Sequence, residues 1–259
     1  MSEPVKTERR GHVFEITLDR PKANAVDAAT SRALDRAFAA FRDDPELRVA
    51  ILTGGGTRFF SAGWDMKSNP DEEDRDFGAG GFGGIVGRTD LDKPVVAAIN
   101  GYCAGGGLEI ALACDFILAA EHAQFFLSET MLGMVCHPAS IARLLATVPR
   151  QFGLEMLYTG RRVGAADARA AGLAHGVVPG AGLMTAARDL ADRIAEAAPL
   201  ATRATKEMVQ KAADLPIGQA IAARTDGTLA LVQAVWDSDD AKEGPRAFAE
   251  RRKPDWTGR

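Results

Sequence analysis

The sequence predicts an α/β domain followed by a helical C-terminal region, and two patterns carry that prediction. A short apolar strand, a glycine turn and a helix are expected in succession at residues 49–66 and again at 95–113. A repeat of this kind is typical of α/β proteins. Beyond about residue 183 the chain becomes rich in alanine, and its apolar residues recur with helical spacing. We therefore divide the chain into a core of residues 1–197 and a helical region of residues 198–259.

The strands of the core are predicted from short apolar runs bounded by turn residues. The first, HVFEITLDR, alternates between apolar and polar residues and ends before Pro21. The others are shorter, and their nearly continuous apolar composition is typical of buried strands. In chain order the six predicted strands are 12–20, 49–54, 95–100, 116–120, 123–127 and 175–179.

The helices are predicted from capping residues and from apolar spacing. Asp27 is a favourable N-cap residue, and Leu34, Phe38 and Phe41 share one face of the segment that follows it. We expect one helix there, over residues 28–44. In the C-terminal part we expect helices over 183–197, 200–213 and 217–236.

The composition argues against several classes of protein. A formal net charge of −4 offers no basic surface for nucleic acid. Cys103, Cys114 and Cys136 have neither the spacing of a disulfide framework nor that of a metal site. We expect them to be buried thiols of a cytoplasmic protein that holds no metal. The N-terminal MSEPVKTERRG contains no apolar run, so no signal peptide is predicted.

One segment, residues 94–120, is long enough and apolar enough to raise the question of a membrane span. It contains Asn100, Glu109 and Asp115, however. A carboxylate near the centre of a bilayer costs about 2.5–3.5 kcal/mol, and a glycine run weakens the helix further. We interpret the segment as buried core and expect no membrane partner.

Two glycine turns are candidates for chemistry: SAGWD at 61–65 and CAGGGLE at 103–109. Backbone N–H groups at the start of a helix have no internal partner and can bind a negatively charged oxygen. Two such groups directed at one point would stabilise an oxyanion. The alternative is tight packing of glycine turns. A phosphate-binding loop is disfavoured, because no GK[ST] follows either turn.

Two carboxylates stand in apolar surroundings. Glu109 follows the second glycine turn and precedes Ile110, Ala111 and Leu112, and Glu129 lies in FFLSETMLG. Burial of a carboxylate is costly unless something compensates it. Each acid taken alone is explained by capping a backbone or pairing with an arginine. Together, beside an oxyanion-binding turn, they indicate acid–base chemistry on a carbonyl compound.

The chain resembles the crotonase (enoyl-CoA hydratase/isomerase) superfamily along essentially its whole length. The resemblance rests on four motifs in order, RFFSAGWDMK, KPVVAAINGYCAGGGLEIALACD, AQFFLSETMLG and YTGRRVGAADARAAGL. It implies a crotonase-like spiral of ββα repeats with a C-terminal helical trimerisation region. It also implies a homotrimer or a hexamer built as a dimer of trimers.

The resemblance assigns roles to the candidate residues. The N–H groups of Trp64 and Gly106 would form an oxyanion hole for the thioester oxygen of an acyl-CoA. Glu109 and Glu129 match the two catalytic glutamates of the hydratases: Glu109 would orient and deprotonate water, and Glu129 would exchange the α-proton. The implied reaction is a reversible, syn-type addition of water to a 2-enoyl-CoA. Coenzyme A enters as part of the substrate, with no metal and no redox cofactor.

Coenzyme A is expected, on the same resemblance, across RPKANA (20–25) and SAGWDMK (61–67). The backbone of these segments would meet adenine and pantetheine, and the lysines would face the phosphates unless they belong to an ordinary solvated face. Phe248 and Arg251 match positions at which family members contact the CoA that is bound to a neighbouring subunit. The residues expected to contact CoA or substrate are Lys22, Ala23, Ala25, Ala62, Gly63, Asp65, Met66, Lys67, Tyr102, Gly105, Thr130, His137, Phe248 and Arg251.

A closer resemblance concerns the acyl group. FFSAGWDMK, the loop EEDRDFGAGGFGG and the tail DDAKEGPRAFAERRKPDWTGR resemble hydratases whose enoyl group carries trimethylammonium, as in crotonobetainyl-CoA. Most hydratases have a small or aliphatic residue in place of Trp64. Its indole would attract a quaternary ammonium by a cation–π interaction, or would simply fill the acyl pocket. The alternatives are a generic short-chain enoyl-CoA hydratase and an enoyl-CoA isomerase.

The loop CHPAS, residues 136–140, departs from the usual pattern of the family, which has a proline and paired glycines there. Because the backbone of that loop often helps to hold the catalytic water, His137 either enters the site or only reshapes the loop. Two other classes remain to be tested. Ser61 is the candidate nucleophile of a hydrolase, although no GxSxG motif is present. A non-catalytic RNA binder is disfavoured by the acidic balance and by the two glutamates.

Overall fold

The structure is a computed structural model that describes residues 3–68 and 76–259. The chain divides into two compact units. The first comprises Met1–Asp90 and Val95–Ala191, and the second comprises Leu91–Pro94 and Asp192–Arg259. The domain boundary between residues 197 and 198 stays a prediction.

The first unit contains two sheets. Ten strands are present in the described residues: β1 Val5–Arg10, β2 Val13–Leu18, β3 Val49–Gly54, β4 Phe59–Ser61, β5 Val95–Ile99, β6 Tyr102–Ala104, β7 Phe116–Ala120, β8 Gln124–Phe126, β9 Val163–Gly164 and β10 Gly176–Val178. The larger sheet has the order β1-β2-β3-β5-β7-β10 and is parallel except for the β1–β2 pair. The smaller has the order β4-β6-β8-β9 and is parallel except for the β8–β9 pair. Each of the six predicted strands is present, and the first is shorter than expected.

Four strands were not predicted from the sequence. The segment VKTERR of β1 is polar, and most of its residues are not buried, so it carries no apolar pattern. The other three, β4, β6 and β9, have only two or three residues each. Strands this short are defined by the neighbours with which they pair rather than by their own periodicity.

Ten α-helices are present in the described part of the chain. They are α1 Ala28–Asp43, α2 Gly106–Leu112, α3 Pro138–Thr147, α4 Arg150–Thr159, α5 Ala165–Ala170, α6 Leu183–Ala195, α7 Pro199–Ala212, α8 Ile217–Ala222, α9 Ala230–Asp237 and α10 Asp240–Glu250. Short 3₁₀ turns cover Phe82–Gly84, Thr130–Leu132 and Gly180–Gly182. None of these helices is long and apolar enough to cross a membrane.

The cap predicted at Asp27 is confirmed. Its carboxylate accepts a hydrogen bond of 2.7 Å from the Thr30 N–H, and α1 follows with Leu34, Phe38 and Phe41 fully buried. The apolar face of α1 packs in the core of the first unit, whose central strands β3 and β5 are buried along their whole length. Local capping and helical spacing were enough to define this element.

Two helix predictions were wrong. The helix expected over 217–236 is two helices, α8 and α9, because the intervening segment contains Gly227 at a φ of +90°. No helix follows the first glycine turn at 61–66 either, within the described residues up to 68. Instead Trp64 forms a β-bridge with Val26, so its backbone is extended at the point where the helix was expected.

The second unit is held together by buried charged side chains. Lys206 on α7 donates to the Lys93 carbonyl at 2.8 Å, which ties the segment Leu91–Pro94 to that helix. At the other end of the unit, the Asp240 carboxylate accepts from the N–H groups of Thr257 and Gly258, at 2.8 and 3.0 Å. The C-terminal tail is therefore fastened to the first turn of α10.

Candidate active site

The two glycine turns lie side by side because the strands before them pair. β4 and β6 are parallel, with Ser61 opposite Cys103, and each strand leads directly into its turn. A Cβ atom on Gly63 would lie 2.6 Å from the nitrogen of Gly106. This close approach, together with a φ of +82°, explains why glycine stands at position 63.

The N–H groups of Trp64 and Gly106 remain available to a ligand. The bridge to Val26 uses the Gly63 carbonyl and the Asp65 N–H, at 2.8 and 3.0 Å, and leaves the N–H between them unused. Gly106 is the first residue of α2, where an N–H has no partner within the helix. Among the residues that the structure describes, neither group donates a hydrogen bond to a protein acceptor. Two neighbouring donors of this kind can stabilise a developing negative charge on oxygen.

Glu109 lies in the first turn of α2 and is buried. Its Oε1 accepts a hydrogen bond of 2.5 Å from the backbone N–H of His137. Burial raises the pKa of Glu109 above its ordinary value, the His137 N–H opposes that rise, and the charge of Glu129 adds to it. A carboxyl group with a raised pKa, held in a fixed orientation, is suited to accept and return a proton.

Glu129 precedes the 3₁₀ turn Thr130–Leu132 and faces the second glycine turn. A Cβ on Gly105 would lie 2.9 Å from Oε1 of Glu129, so the absence of a side chain at Gly105 makes room for this carboxylate. The φ of +52° at Gly105 also favours glycine there. The Oε2 atom is buried and has no hydrogen-bond partner within the described residues. A buried oxygen without a partner is costly in a finished structure and is often found where a ligand completes the site.

Two further side chains meet these acids: Cys136, which was predicted only to be a buried thiol, and Ser140, which was not predicted from the sequence. Burial and the charges of Glu129 and Glu109 raise the pKa of Cys136, which therefore remains a neutral thiol. The hydroxyl of Ser140 is buried in the first turn of α3. It lies beside Glu109 and lowers the pKa of that carboxyl, although its Oγ has no hydrogen-bond partner within the described residues. Both residues belong to the loop CHPAS, whose departure from the family pattern was the only signal in the sequence.

The glycine turns and the two acids open into one cleft with a cavity volume of about 270 Å³. That size is near the lower end of the range of small-molecule sites, about 300–1,000 Å³. Trp64 and Phe82 form one part of its wall, and Leu132, Met134 and Val135 form another. Of these only Trp64 was predicted, because the others lie in loops or short 3₁₀ turns whose apolar residues carry no periodic pattern. The cleft joins two free N–H donors, two carboxylates and an apolar surface.

The predicted CoA segments meet beside this cleft. The Ala62 N–H donates to the Ala23 carbonyl at 3.0 Å, and the Ala25 carbonyl accepts from Arg20. Arg20 also pairs with Asp65 at 2.8 Å, and the hydrogen bond from Arg20 lowers the pKa of that acid. Met66 lines the cleft, and Lys22 and Lys67 are exposed.

Other residues expected to contact substrate have different surroundings. The Thr130 hydroxyl donates to the Leu157 carbonyl at 2.9 Å, which fixes the 3₁₀ turn to α4. The Tyr102 ring packs against Phe59, with 5.3 Å between the centroids. The His137 ring is exposed and accepts from the Ala139 N–H as the N-cap of α3, so the residue meets Glu109 through its backbone. Phe248 and Arg251 belong to the second unit, and both are exposed.

Ser61 is not placed to act as the nucleophile of a hydrolase. Ser61 is fully buried, and its hydroxyl donates to the Asn24 carbonyl at 2.7 Å. The same oxygen accepts from the Gly63 N–H at 3.1 Å. No histidine is among these partners. The side chain shapes the first glycine turn, and its hydroxyl faces the interior rather than the cleft.

Comparison with known proteins gives a consistent result. The family model described as enoyl-CoA hydratase/isomerase matches residues 8–259. Carnitinyl-CoA dehydratases of Salmonella enteritidis and Salmonella typhi are each 50% identical to this chain over 261 residues, with the whole of both chains covered.

The fold is shared with solved structures. The enoyl-CoA hydratase of Mycobacterium tuberculosis superposes with a TM-score of 0.92 at 37% identity, over the whole of both chains. That of Bacillus anthracis superposes with a TM-score of 0.88 at 31% identity, over 99% of this chain and 100% of its own.

Proposed function

The chain belongs to the enoyl-CoA hydratase/isomerase family, and we propose that it adds water reversibly to a 2-enoyl-CoA whose acyl group carries a trimethylammonium. In the dehydrating direction the substrate is carnitinyl-CoA and the product crotonobetainyl-CoA. One observation carries the proposal: a single cleft contains two carboxylates, those of Glu109 and Glu129, and two backbone N–H groups that have no protein acceptor among the described residues. The 50% identity to carnitinyl-CoA dehydratases over the full length supports the choice of acyl group.

The thioester oxygen is bound by the N–H groups of Trp64 and Gly106. As water adds to Cβ, negative charge moves onto that oxygen, and the two donors stabilise the resulting enolate. Removing one donor of an oxyanion hole typically costs about 10²–10³ in rate. Both donors are backbone groups, so their position depends on the glycines around them rather than on their own side chains.

The two glutamates carry the proton transfers. Glu109, held by the His137 N–H, orients a water molecule and takes its proton as the oxygen bonds to Cβ. Glu129 passes a proton from solvent to Cα as the enolate collapses, and Glu109 releases to solvent the proton that it took from water. In the reverse direction Glu129 removes the α-proton and Glu109 protonates the departing hydroxyl. Because both acids lie on the same cleft, addition from one face of the double bond is expected.

Coenzyme A is bound as part of the substrate, with its adenine and pantetheine along residues 20–25 and 61–67, and the reaction needs no metal and no redox cofactor. The protein acts in the cytoplasm as a homotrimer or a hexamer. Exposed apolar side chains on the second unit, among them Ile217, Ile221 and Trp236, support assembly. Their burial between copies would remove apolar surface from water.

A generic short-chain enoyl-CoA hydratase is the second candidate, because solved structures of that name share the fold at 37% identity. A comparison of substrates separates the two. We expect crotonobetainyl-CoA to lose its enoyl-thioester absorbance with a higher kcat/KM than crotonyl-CoA. A preference for crotonyl-CoA would assign the chain to the generic hydratases. Hydration of neither ester would contradict both candidates.

A further inference from the structure

Three aromatic side chains meet in a corner beside the candidate active site. The ring centroids of Trp64 and Phe77 are 5.7 Å apart, those of Trp64 and Phe82 are 6.2 Å apart, and those of Phe77 and Phe82 are 6.1 Å apart. The corresponding interplanar angles are 88°, 54° and 81°. The rings therefore form three steeply inclined walls, and we call them the aromatic corner.

The spacing of the corner suits a single cation. An ammonium group is attracted when it lies within about 6 Å of a ring centroid, over the face of the ring. Because the three centroids are all 5.7 to 6.2 Å apart, one small cation can satisfy that distance to every ring at once. All three side chains are only half-buried, so the corner is accessible from outside.

The corner adjoins the reacting groups. Trp64 and Phe82 line the same cleft as Glu109 and Glu129. The edge of the Phe82 ring fills the space beside Gly106, where a Cβ would lie 2.5 Å from the Cε1 atom of that ring. In an acyl-CoA with trimethylammonium on its γ-carbon, the cation is two bonds beyond Cβ and must lie close to the water-activating acid.

The backbone that carries Phe82 is firmly held. The Gly83 N–H donates to the hydroxyl of Ser31 at 3.0 Å. The Gly84 carbonyl accepts from the buried side chain of Arg88 at 2.9 Å. The first bond connects the 3₁₀ turn Phe82–Gly84 to α1, and Arg88 also pairs with Asp35 on that helix, so one wall of the corner is fixed. A fixed ring loses little entropy when a ligand binds against it.

The charge of the cleft favours a cation as well. Its described lining includes the carboxyl groups of Glu109 and Glu129 and no lysine or arginine. A carboxylate on the acyl group would be repelled there, and a neutral group would gain only apolar contact. A quaternary ammonium gains both the attraction of the rings and the field of the acids.

From these observations we propose that Trp64, Phe77 and Phe82 together bind the trimethylammonium of the acyl group and determine the preference for a cationic substrate. This inference rests on the proposed function, and it extends recognition from one indole to a three-walled site.

The test uses pairs of ligands that differ only in charge. γ-Butyrobetainyl-CoA, which is saturated and cannot be hydrated, is compared with the ester in which a tert-butyl group replaces trimethylammonium. The affinity of the protein for each ester is measured by calorimetry. We expect the wild-type protein to bind the cationic ester more tightly. Phe77→Leu, Phe82→Leu and Trp64→Leu should each reduce that preference about three- to thirtyfold.

Phe116→Leu is the matched control, because Phe116 is a half-buried aromatic residue on β7 whose ring packs against His175 instead. It should leave the preference unchanged. Equal affinities of the two esters for the wild-type protein would overturn the proposal, and so would an unchanged preference in the three corner variants. Binding is read separately from turnover. If the cationic ester binds tightly but crotonobetainyl-CoA is not hydrated, the proposed function fails and the aromatic corner stands.

Discussion

The backbone N–H of His137 donates a hydrogen bond of 2.5 Å to Oε1 of Glu109, and this bond joins α2 to the N-cap of α3. A residue that departs from the family pattern in its side chain thus acts through its main chain, while its ring caps the helix. The position of the acid depends on the backbone of the loop CHPAS. Substitutions of the His137 ring should therefore disturb the reaction less than substitutions that move the loop.

The first prediction concerns the two acids. Glu109→Gln and Glu129→Gln should each lower kcat about 10²–10⁴-fold, because an amide cannot exchange a proton with water or with Cα. Affinity for a saturated acyl-CoA should change little, since both roles are confined to the transition state. Enoyl-thioester absorbance measures the rate and calorimetry the affinity. Near-normal turnover in either variant would remove that residue from the mechanism.

The second prediction concerns the geometry of the oxyanion hole. In Gly63→Ala the new Cβ would approach the Gly106 nitrogen to 2.6 Å and force the two turns apart. We expect a loss of about 10²–10³ in kcat, the usual effect of removing one donor.

Gly56→Ala is the control for this variant. Gly56 also has a positive φ, of +76°, but a Cβ there meets nothing within 4 Å. The Gly56→Ala substitution imposes a similar backbone strain away from the site, so this variant should retain activity. Circular dichroism shows whether both variants are folded. An equal loss in the two would attribute the effect to strain rather than to the hole.

Local signals were sufficient for part of the fold. The cap at Asp27 and the apolar face behind it define α1, and the continuous apolar runs define β3, β5 and β7. Pairing partners distant in sequence decided the rest. The backbone of Trp64 is extended because Val26 pairs with it. The pattern of apolar residues around position 64 gives no indication of that contact.

The candidate site shows the same division. An acid within an apolar run is conspicuous, so Glu109 and Glu129 could be singled out from the sequence. Ser140 could not, because a serine in a first helical turn normally needs no explanation. Phe77 and Phe82 were also missed, since only the folding of a glycine-rich segment brings their rings to Trp64.

The third prediction concerns pH. The Ser140 hydroxyl lowers the pKa of Glu109, so Ser140→Ala should raise that pKa further. Because the base must be ionised to accept a proton from water, the acid limb of kcat/KM should move to higher pH. Thr147→Ala removes a hydroxyl from the last turn of the same helix and should leave the profile unchanged. A uniform loss of activity at every pH would indicate a structural role for Ser140.

The fourth prediction concerns assembly. Ile217 and Ile221 lie one turn apart on α8, and their exposed fractions are 81% and 70%. The double variant Ile217→Lys, Ile221→Lys should dissociate a trimer or hexamer, because charges would replace an apolar contact. Gln219→Lys introduces the same side chain at an exposed position of α8 and should not. Light scattering measures the mass, and a monomeric wild-type protein at micromolar concentration would contradict the prediction.

The last prediction concerns the effect of the buried Glu109 carboxylate on the stability of the fold. Burial and the charge of Glu129 raise its pKa in the folded protein, so the folded state binds this proton more tightly than the unfolded chain does. The stabilising effect of this proton is fully present at pH values below the pKa that Glu109 has in the unfolded chain. It is lost as the pH rises through the higher pKa that Glu109 has in the folded protein. At about pH 8 the ionised group destabilises the fold.

Glu109→Gln keeps an acceptor for the His137 N–H and removes the charge. Its Tm should exceed that of the wild type at about pH 8, and the difference should shrink towards about pH 5. Glu121→Gln, at an exposed position, should show no such dependence. The variant that loses the most activity would then be the more stable protein, as expected when a charge is kept in an apolar site for its chemistry. A lower Tm at about pH 8 would show that the carboxylate stabilises the fold and that its environment compensates its charge.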